Sequence, residues 1–424
     1  MDKNKLKKII IDQKEEIGSL SSRKKLIERE YFSKYSHYIE SSQVKVIIGI
    51  RRCGKSVLAY QLLKDLQFAY VNFDDEKLAG LGADDLNDVL EAFYEVYGDF
   101  KYILLDEIQN ITGWELFVNR LQRQGFNVVV TGSNSHLLSR ELSTHLTGRH
   151  ISLELFPFSF KEFLKYHDID VKNIDLMSTK EIGFFKKKLE DYLILGGFPE
   201  MVREPANKKI YLQSLYSDII NKDIIIRHNV RFSKTLKDMA NSLMSNTSSQ
   251  VSFNRLKNIF NLKSVHTALN YLSFLEESFL FFLVPRFSYK PHERVTASRK
   301  IYSIDTGMID ALSVNFSQNI GKIYENMVFL ELSRKCSEEQ AEIYYWQDTS
   351  KNEVDFVVKR GNEVQELIQV CYNINEYDIK KREVSSLVKA GNELKCKNLT
   401  VITGDYEATE NNIRFIPLWK WLLM

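Results

Sequence analysis

VIIGIRRCGKSVLAYQLL, Val46 to Leu63, holds three signals in eighteen residues: an apolar run ending at a glycine, a lysine and serine six and seven residues later, and then an apolar helical pattern. Gly49-Ile50-Arg51-Arg52-Cys53-Gly54-Lys55-Ser56 fits GxxxxGKS, placed after a strand and opening a helix at Val57. A glycine-bounded loop can turn its backbone N–H groups inward on phosphate oxygens, at a helix N-terminus whose partial positive charge favours an anion. Residues Gly49, Ile50, Arg51, Arg52, Cys53, Gly54, Lys55, Ser56 and Val57 are therefore the candidate nucleotide cradle. In that cradle Lys55 reaches the β and γ phosphates, and Ser56 reaches a magnesium ion.

Working outward, the runs VKVIIGI, FAYVNFD, YILLDEI, NVVVTGS and HISLEL between Val44 and about Phe160 alternate with helical patterns, which predicts an α/β domain on a parallel sheet. Tyr102 to Leu105 is a buried strand ending in Asp106 and Glu107. Asp106 is placed to hold the metal through water, and Glu107 to orient an attacking water. The next strand runs into Thr131-Gly132-Ser133-Asn134, so Ser133 and Asn134 are candidates to sense the γ-phosphate. Arg149, leading into a further strand, is a candidate arginine finger, with Arg140 as its rival.

Composition bounds the rest. The 424 residues predict about three domains on length alone, and 44% apolar content suffices for packed cores. Lys+Arg 58 against Asp+Glu 56 gives a formal charge of +2, so any nucleic-acid surface must be a local patch. Cys53, Cys336, Cys371 and Cys396 form no CxxC pair, which argues against a disulfide framework or a thiolate zinc site. The basic N-terminus leads into DQKEE, and the most apolar later run, Phe279 to Val284, is too short to span a bilayer. These features predict a soluble cytoplasmic protein with no membrane partner.

Residues 1–42 carry Leu6, Ile9, Ile10 and Ile17 at helical spacing, so helices are expected before the first strand. The expected segments are 1–42 helical, 43–165 the nucleotide-binding core, 166–240 a helical lid or linker, 241–310 a winged helix and 311–424 a closing α/β domain. Between Val251 and Lys300 there are eight Lys/Arg against three acids, a local charge of +5. Helix, turn, helix and a two-stranded ribbon with a basic tip is winged-helix order, in which Lys263, Thr267 and Asn270 face outward, and Lys290 and Arg294 sit on the ribbon, for contact with DNA. Winged helices also serve as protein-docking modules.

GIRRCGKS, ILLDEIQN, VVVTGSNSHLLS and LTGRHISLELFPFSFKEF together resemble the prokaryotic AAA-type ATPases of the AAA+ superfamily that carry a C-terminal domain of long-unknown function. LGGFPEMV, IYSIDTGMID, GKIYENMVFLEL and NEVDFVV fit the later segments of that family, so the resemblance covers nearly the whole chain. It implies ATP and Mg2+ as ligands, hydrolysis of ATP to ADP and phosphate, a catalytic glutamate at Glu107, and an arginine presented by a neighbour in a ring such as a hexamer.

The last hundred residues read αβββαβ, an order that resembles the restriction-endonuclease-like fold. Glu325 and Asp355 match two of that fold's metal-binding acids, but Gln369 stands where a glutamate is usual and Cys371 where a lysine is expected. A neutral amide is a poor partner for a hard dication, and a thiol cannot supply a fixed positive charge, so nuclease activity is expected to be weak or absent. The leading expectation is an oligomeric ATPase acting on DNA, branched or forked, in repair, recombination or genome defence. Two alternatives stand beside it: a nucleotide-controlled switch docking a protein partner, and an active metal-dependent endonuclease.

Overall fold

The computed structural model describes residues 2–22, 25–30, 32–134, 148–313, 319–374 and 377–424. The chain divides into two compact units, Met1–Phe158 with Glu277–Phe279, and Ser159–Glu276 with Leu280–Met424.

In the first unit, β1 (Val44–Ile48), β2 (Phe68–Asn72), β3 (Tyr102–Asp106), β4 (Asn127–Gly132) and β5 (His150–Glu154) form one sheet in the order β2-β3-β4-β1-β5. Every pairing is parallel. Such a sheet is covered on both faces, which is why its central strands read as continuous apolar runs. On one face Val44, Val46, Val71, Ile103, Leu105 and Val130 pack with Trp114, Phe117 and Val118 of the helix Trp114–Arg123, and with Phe93 of the helix Leu86–Tyr97. The same core receives Leu6, Ile9 and Ile10 of the helix Lys3–Gly18, whose apolar residues recur at helical spacing.

That first helix also guards an edge. β2 ends the sheet, and an edge strand exposes unpaired backbone groups. The amide of Gln13 takes both of those offered by Asn72: Nε2 donates to its carbonyl at 3.1 Å, and Oε1 accepts from its N–H at 2.9 Å. Gln13 Nε2 also reaches Asp75 at 2.9 Å.

The second unit begins with helices and holds two further sheets. β6 (Ser249–Val251), β7 (Phe281–Pro285) and β8 (Arg299–Ser303) form an antiparallel sheet in the order β6-β8-β7. The helices Phe253–Ile259 and Val265–Glu277 lie between β6 and β7 in sequence. Ala268, Tyr271, Leu272 and Leu275 are the buried positions of the longer one. Between β7 and β8, at the basic tip of the ribbon, lies a short helix, Pro291–Thr296, which starts where proline's fixed φ suits a first helical residue.

The helix Ile320–Glu339 leads into β9 (Glu342–Gln347), β10 (Glu353–Arg360) and β11 (Glu363–Cys371), followed by the helix Tyr377–Leu394 and β12 (Leu399–Thr403). This is the expected αβββαβ order. Two more strands, β13 (Ala408–Glu410) and β14 (Ile413–Pro417), extend it to a mixed six-stranded sheet ordered β13-β14-β12-β11-β10-β9.

Two glycine motifs interlock within this unit. The helix Thr179–Leu195 ends at Gly196, whose φ is +81°, and a Cβ there would lie 2.3 Å from an oxygen of Asp305. A Cβ on Gly307 would lie 2.3 Å from the carbonyl of Leu195. Asp305 accepts from the N–H of Gly197 at 2.7 Å and caps the helix Thr306–Leu312 by accepting from Met308 N–H at 2.9 Å. LGGFP and IDTGM are thus the two halves of one tight junction, and glycine is required on both sides.

Candidate nucleotide site

β1 delivers Gly49 to the carboxyl edge of the sheet with a φ of 154°. A Cβ there would lie 2.2 Å from the carbonyl of Leu155, so backbone packing alone demands glycine. Arg52 and Gly54 also have positive φ, 68° and 102°, and the helix Lys55–Leu63 starts directly after Gly54. The loop is braced from the N-terminal segment. Arg29 donates to the carbonyl of Cys53 at 3.1 Å and to that of Phe156 at 2.6 Å, with its guanidinium over the Phe158 ring. Arg51 pairs with Asp74 at 3.2 Å. Sequence reasoning missed Arg29 because its partners are backbone carbonyls, which leave no trace in residue type.

Lys55 is buried, with Nζ 3.3 Å from the Ile50 carbonyl and 3.2 Å from a carboxylate oxygen of Glu107. Burial alone would lower its ammonium, but Glu107 and its other neighbours hold it above the ordinary range. Asp106 accepts from the hydroxyls of Thr131 and Ser56, and from Tyr70 at 3.4 Å. Burial, seconded by Glu107, pushes its carboxyl up to about 6. The Ser56 hydroxyl beside the Asp106 carboxylate is a pair of hard oxygen donors of the kind magnesium takes, and the glycine loop lies directly before them, so these residues fit Mg2+ with a nucleotide.

Glu107 sits in the left-handed region at φ 50°, where Thr131 Oγ1 accepts its N–H at 3.0 Å. Against its burial, Lys55 and then Gln109 keep its carboxyl below the ordinary range, which favours the ionised, hydrogen-bond-accepting form. Gln109 Nε2 donates to Glu107 Oε2 at 2.5 Å and lies 3.4 Å from Ser133 Oγ. Ser133 and Asn134 are both buried, and Gln109 joins Ser133 to the cluster. Thr131 and Gln109, which sequence reasoning did not select, are thus the groups that knit β3 to β4 at the site.

Arg149 is elsewhere. It precedes β5, whose first residue pairs with Val44 at the amino end of β1, so the length of a strand, roughly 13 Å, separates it from the edge that carries the loop. Within one chain the sheet does not bring Arg149 to Lys55. Arg140 lies outside the described residues.

The second candidate site differs from expectation. Lys300, counted in sequence as part of a basic surface, is buried, and its ammonium meets Glu325 at 2.9 Å, Glu353 at 2.6 Å and Asp355 at 2.7 Å. An ammonium has three hydrogens, and three carboxylates take them. Burial would lower Lys300, but Asp355 and Glu325 lead a set of neighbours that raises it well above the ordinary range. Glu325, which also accepts from Tyr302 at 2.7 Å, is pushed up to about 7 by burial.

Gln369 is drawn in, accepting from Asp355 N–H at 3.2 Å and donating to Glu383 at 2.6 Å, whereas Cys371 packs into an apolar core with Leu367, Leu387 and Val401. Among the described residues no set of three or more His, Cys, Asp or Glu is arranged to hold a metal ion.

Of the residues expected to face DNA, Lys263 and Asn270 are exposed on the helix Val265–Glu277 and its approach, and Thr267 is half-buried, its hydroxyl 3.2 Å from that of Ser264. Lys290 is exposed and pairs with Glu293 at 3.1 Å. Arg294 is turned back onto the carbonyl of Ser288 and the ring of Tyr344. Arg286 donates to the Gln347 carbonyl. The surface charge of the segment is accordingly smaller than its composition.

Residues 41–164 match the model of an AAA domain. Residues 186–319 and 320–421 match two domains of unknown function, DUF8612 and DUF4143. The uncharacterized protein MJ1544 of Methanocaldococcus jannaschii is 37% identical over 403 residues, covering 90% of this chain and 88% of the relative. The chain belongs to this AAA-domain family. An uncharacterized protein of Haemophilus influenzae is 31% identical over 423 residues, covering 94% of this chain and 99% of its own.

Among solved structures, the AAA-domain chain is similar to a Walker-type ATPase of Pyrococcus abyssi at 15% identity and a TM-score of 0.44, over 68% of this chain and 97% of that one. It is also similar to the RuvB Holliday junction branch migration motor of Thermotoga maritima at 15% identity and a TM-score of 0.31, over 61% and 90%. Family and site agree on an AAA-type P-loop ATPase. A magnesium-bound nucleotide would find its partners here: Lys55 would neutralise phosphate charge, Ser56 and Asp106 would hold the metal, and Glu107 would take the proton of an attacking water.

Among the described residues no helix is long and apolar enough to cross a membrane.

Proposed function

We propose that this AAA-type ATPase engages DNA, branched or forked, through a winged helix and a nuclease-like domain that binds without cutting, and that ATP turnover moves those parts. The observation that carries the reading is the module of helices Phe253–Ile259 and Val265–Glu277 beside the β6-β8-β7 sheet, with Lys263, Asn270 and Lys290 exposed on it. That element order suits a second helix entering the major groove while the ribbon follows the backbone. The absence of cutting is supported by Lys300, whose ammonium lies among the acids that would otherwise hold a metal.

The segments read from sequence serve as the working division: ATPase core 43–165, lid 166–240, winged helix 241–310 and nuclease-like domain 311–424. A ring of subunits fits the position of Arg149, away from its own loop and available to a neighbour's.

Filter binding to single strands, duplexes and junctions at low and moderate salt tests the proposal. Affinity is expected to fall steeply with salt, and Lys263→Ala and Lys290→Ala are each expected to reduce the log–log slope by about 1. No salt-sensitive binding to any of the three would reject the DNA reading and leave the ATPase assignment standing.

A further inference from the structure

Glu107 alone cannot aim a water. A water donating one hydrogen to a single carboxylate remains free to rotate about that O–H bond, and its lone pair then has no fixed direction toward phosphorus. A second acceptor beside the first removes that freedom.

Gln109 is built as the second acceptor. Its Nε2 is committed to Glu107 Oε2 at 2.5 Å, and because an ionised carboxylate only accepts, the amide must present its N–H side there. That leaves Oε1 turned away from Glu107. Oε1 is buried, and among the described residues nothing hydrogen-bonds to it. A buried amide oxygen without a donor is unfavourable, and at this place, one residue pair from the glycine loop's lysine and beside Glu107, a water is the donor that would satisfy it. The same amide lies 3.4 Å from Ser133, so its plane is tied on one side to the catalytic carboxylate and on the other to the end of β4.

We propose that Gln109 is a second catalytic residue of ATP hydrolysis, its carbonyl oxygen accepting one hydrogen of the attacking water while Glu107 accepts the other. As the water oxygen bonds to the γ-phosphorus, the bond from phosphorus to the β,γ-bridging oxygen breaks and its electron pair leaves with ADP. The proton on the Glu107 side passes to that carboxylate, and the hydrogen on the Gln109 side stays with the new phosphate. The proposal rests on the ATPase reading and adds to it the residue that fixes the direction of attack.

The test compares Gln109→Ala and Gln109→Met with the parent in the full-length chain. Both variants are expected to bind ATP with unchanged affinity by calorimetry and to show an unchanged KM, while kcat falls about 100-fold. Met keeps the volume of the side chain but has no carbonyl, so a residue that merely fills space would keep its turnover in that variant. In a Glu107→Gln background, Gln109→Ala is expected to produce no further loss of residual turnover, because the two residues act on one water.

Full turnover in Gln109→Met, or a loss that simply multiplies with that of Glu107→Gln, would overturn the proposal while leaving the ATPase intact. A parent chain that takes up no ATP would instead bring down the ATPase reading itself, and this proposal with it.

Discussion

Lys300 shows how far a residue's role can depart from its type. In composition it adds to a basic segment, yet its charge is spent inside the protein on Glu325, Glu353 and Asp355, with Tyr302 and Gln250 completing the hydrogen bonds of two of those acids. Replacing it with methionine keeps the length but leaves carboxylates buried without a cation. Breaking a buried ion pair from one side costs about 3–5 kcal/mol. Lys300→Met is therefore expected to lower the denaturant midpoint of unfolding clearly at neutral pH, whereas an unchanged midpoint would mean that water reaches the acids.

The motif residues Lys55, Ser56, Asp106 and Glu107 were legible in sequence because short-range spacing and neighbouring strands define them. Lys300, Arg29 and Gln109 were not. Lys300 is 55 positions from Asp355, and Arg29 binds carbonyls 24 and 127 positions away. Gln109 is only two residues from Glu107, and the signal was present in ILLDEIQN, but its meaning depends on the left-handed turn at Glu107 that folds one side chain back on the other.

Among elements, the junction between the helix Thr179–Leu195 and the helix Thr306–Leu312 depends on one buried carboxylate. Burial raises Asp305 from its ordinary 3.8 to about 6, against the opposing pull of the Gly197 and Met308 N–H groups and of Arg334 and Lys208. A carboxyl with a raised folded value favours the folded state most when protonated, so its contribution is complete below 3.8 and is lost as pH rises to about 6. A shift of that size corresponds to about 3 kcal/mol. The stability of the parent relative to Asp305→Asn is expected to decline by that amount between pH 4 and pH 7 in paired denaturation series, and parallel pH curves would contradict it.

The elements themselves were readable where periodicity was strong: the five parallel strands, the first helix and the αβββαβ order all stand where apolar spacing put them. The helix Pro291–Thr296, β13 and β14 were not foreseen. Each is short, and a run of three to six residues carries too few positions for a period to show.

At the scale of the whole molecule, the placement of Arg149 turns a question about one side chain into a question about assembly. A residue at the amino edge of a parallel sheet cannot serve the loop at the carboxyl edge of the same sheet. If Arg149 completes the site, it does so for another copy. Arg149→Ala is accordingly expected to leave ATP affinity intact and slow hydrolysis only where subunits associate. Turnover per subunit should therefore rise with protein concentration in the parent and stay flat in the variant. The same defect in a species that sedimentation shows to be monomeric would sink the idea.

The clasp of Gln13 on Asn72 has a consequence for how the molecule keeps to itself. One side-chain amide imitates a neighbouring peptide group at the end of the edge strand β2, so the opening helix works as a stopper as well as a coat. Cut away, it would leave a bare ladder of donors and acceptors, over a strip of newly wetted aliphatic side chains, to which any extended segment could add itself as a sixth strand.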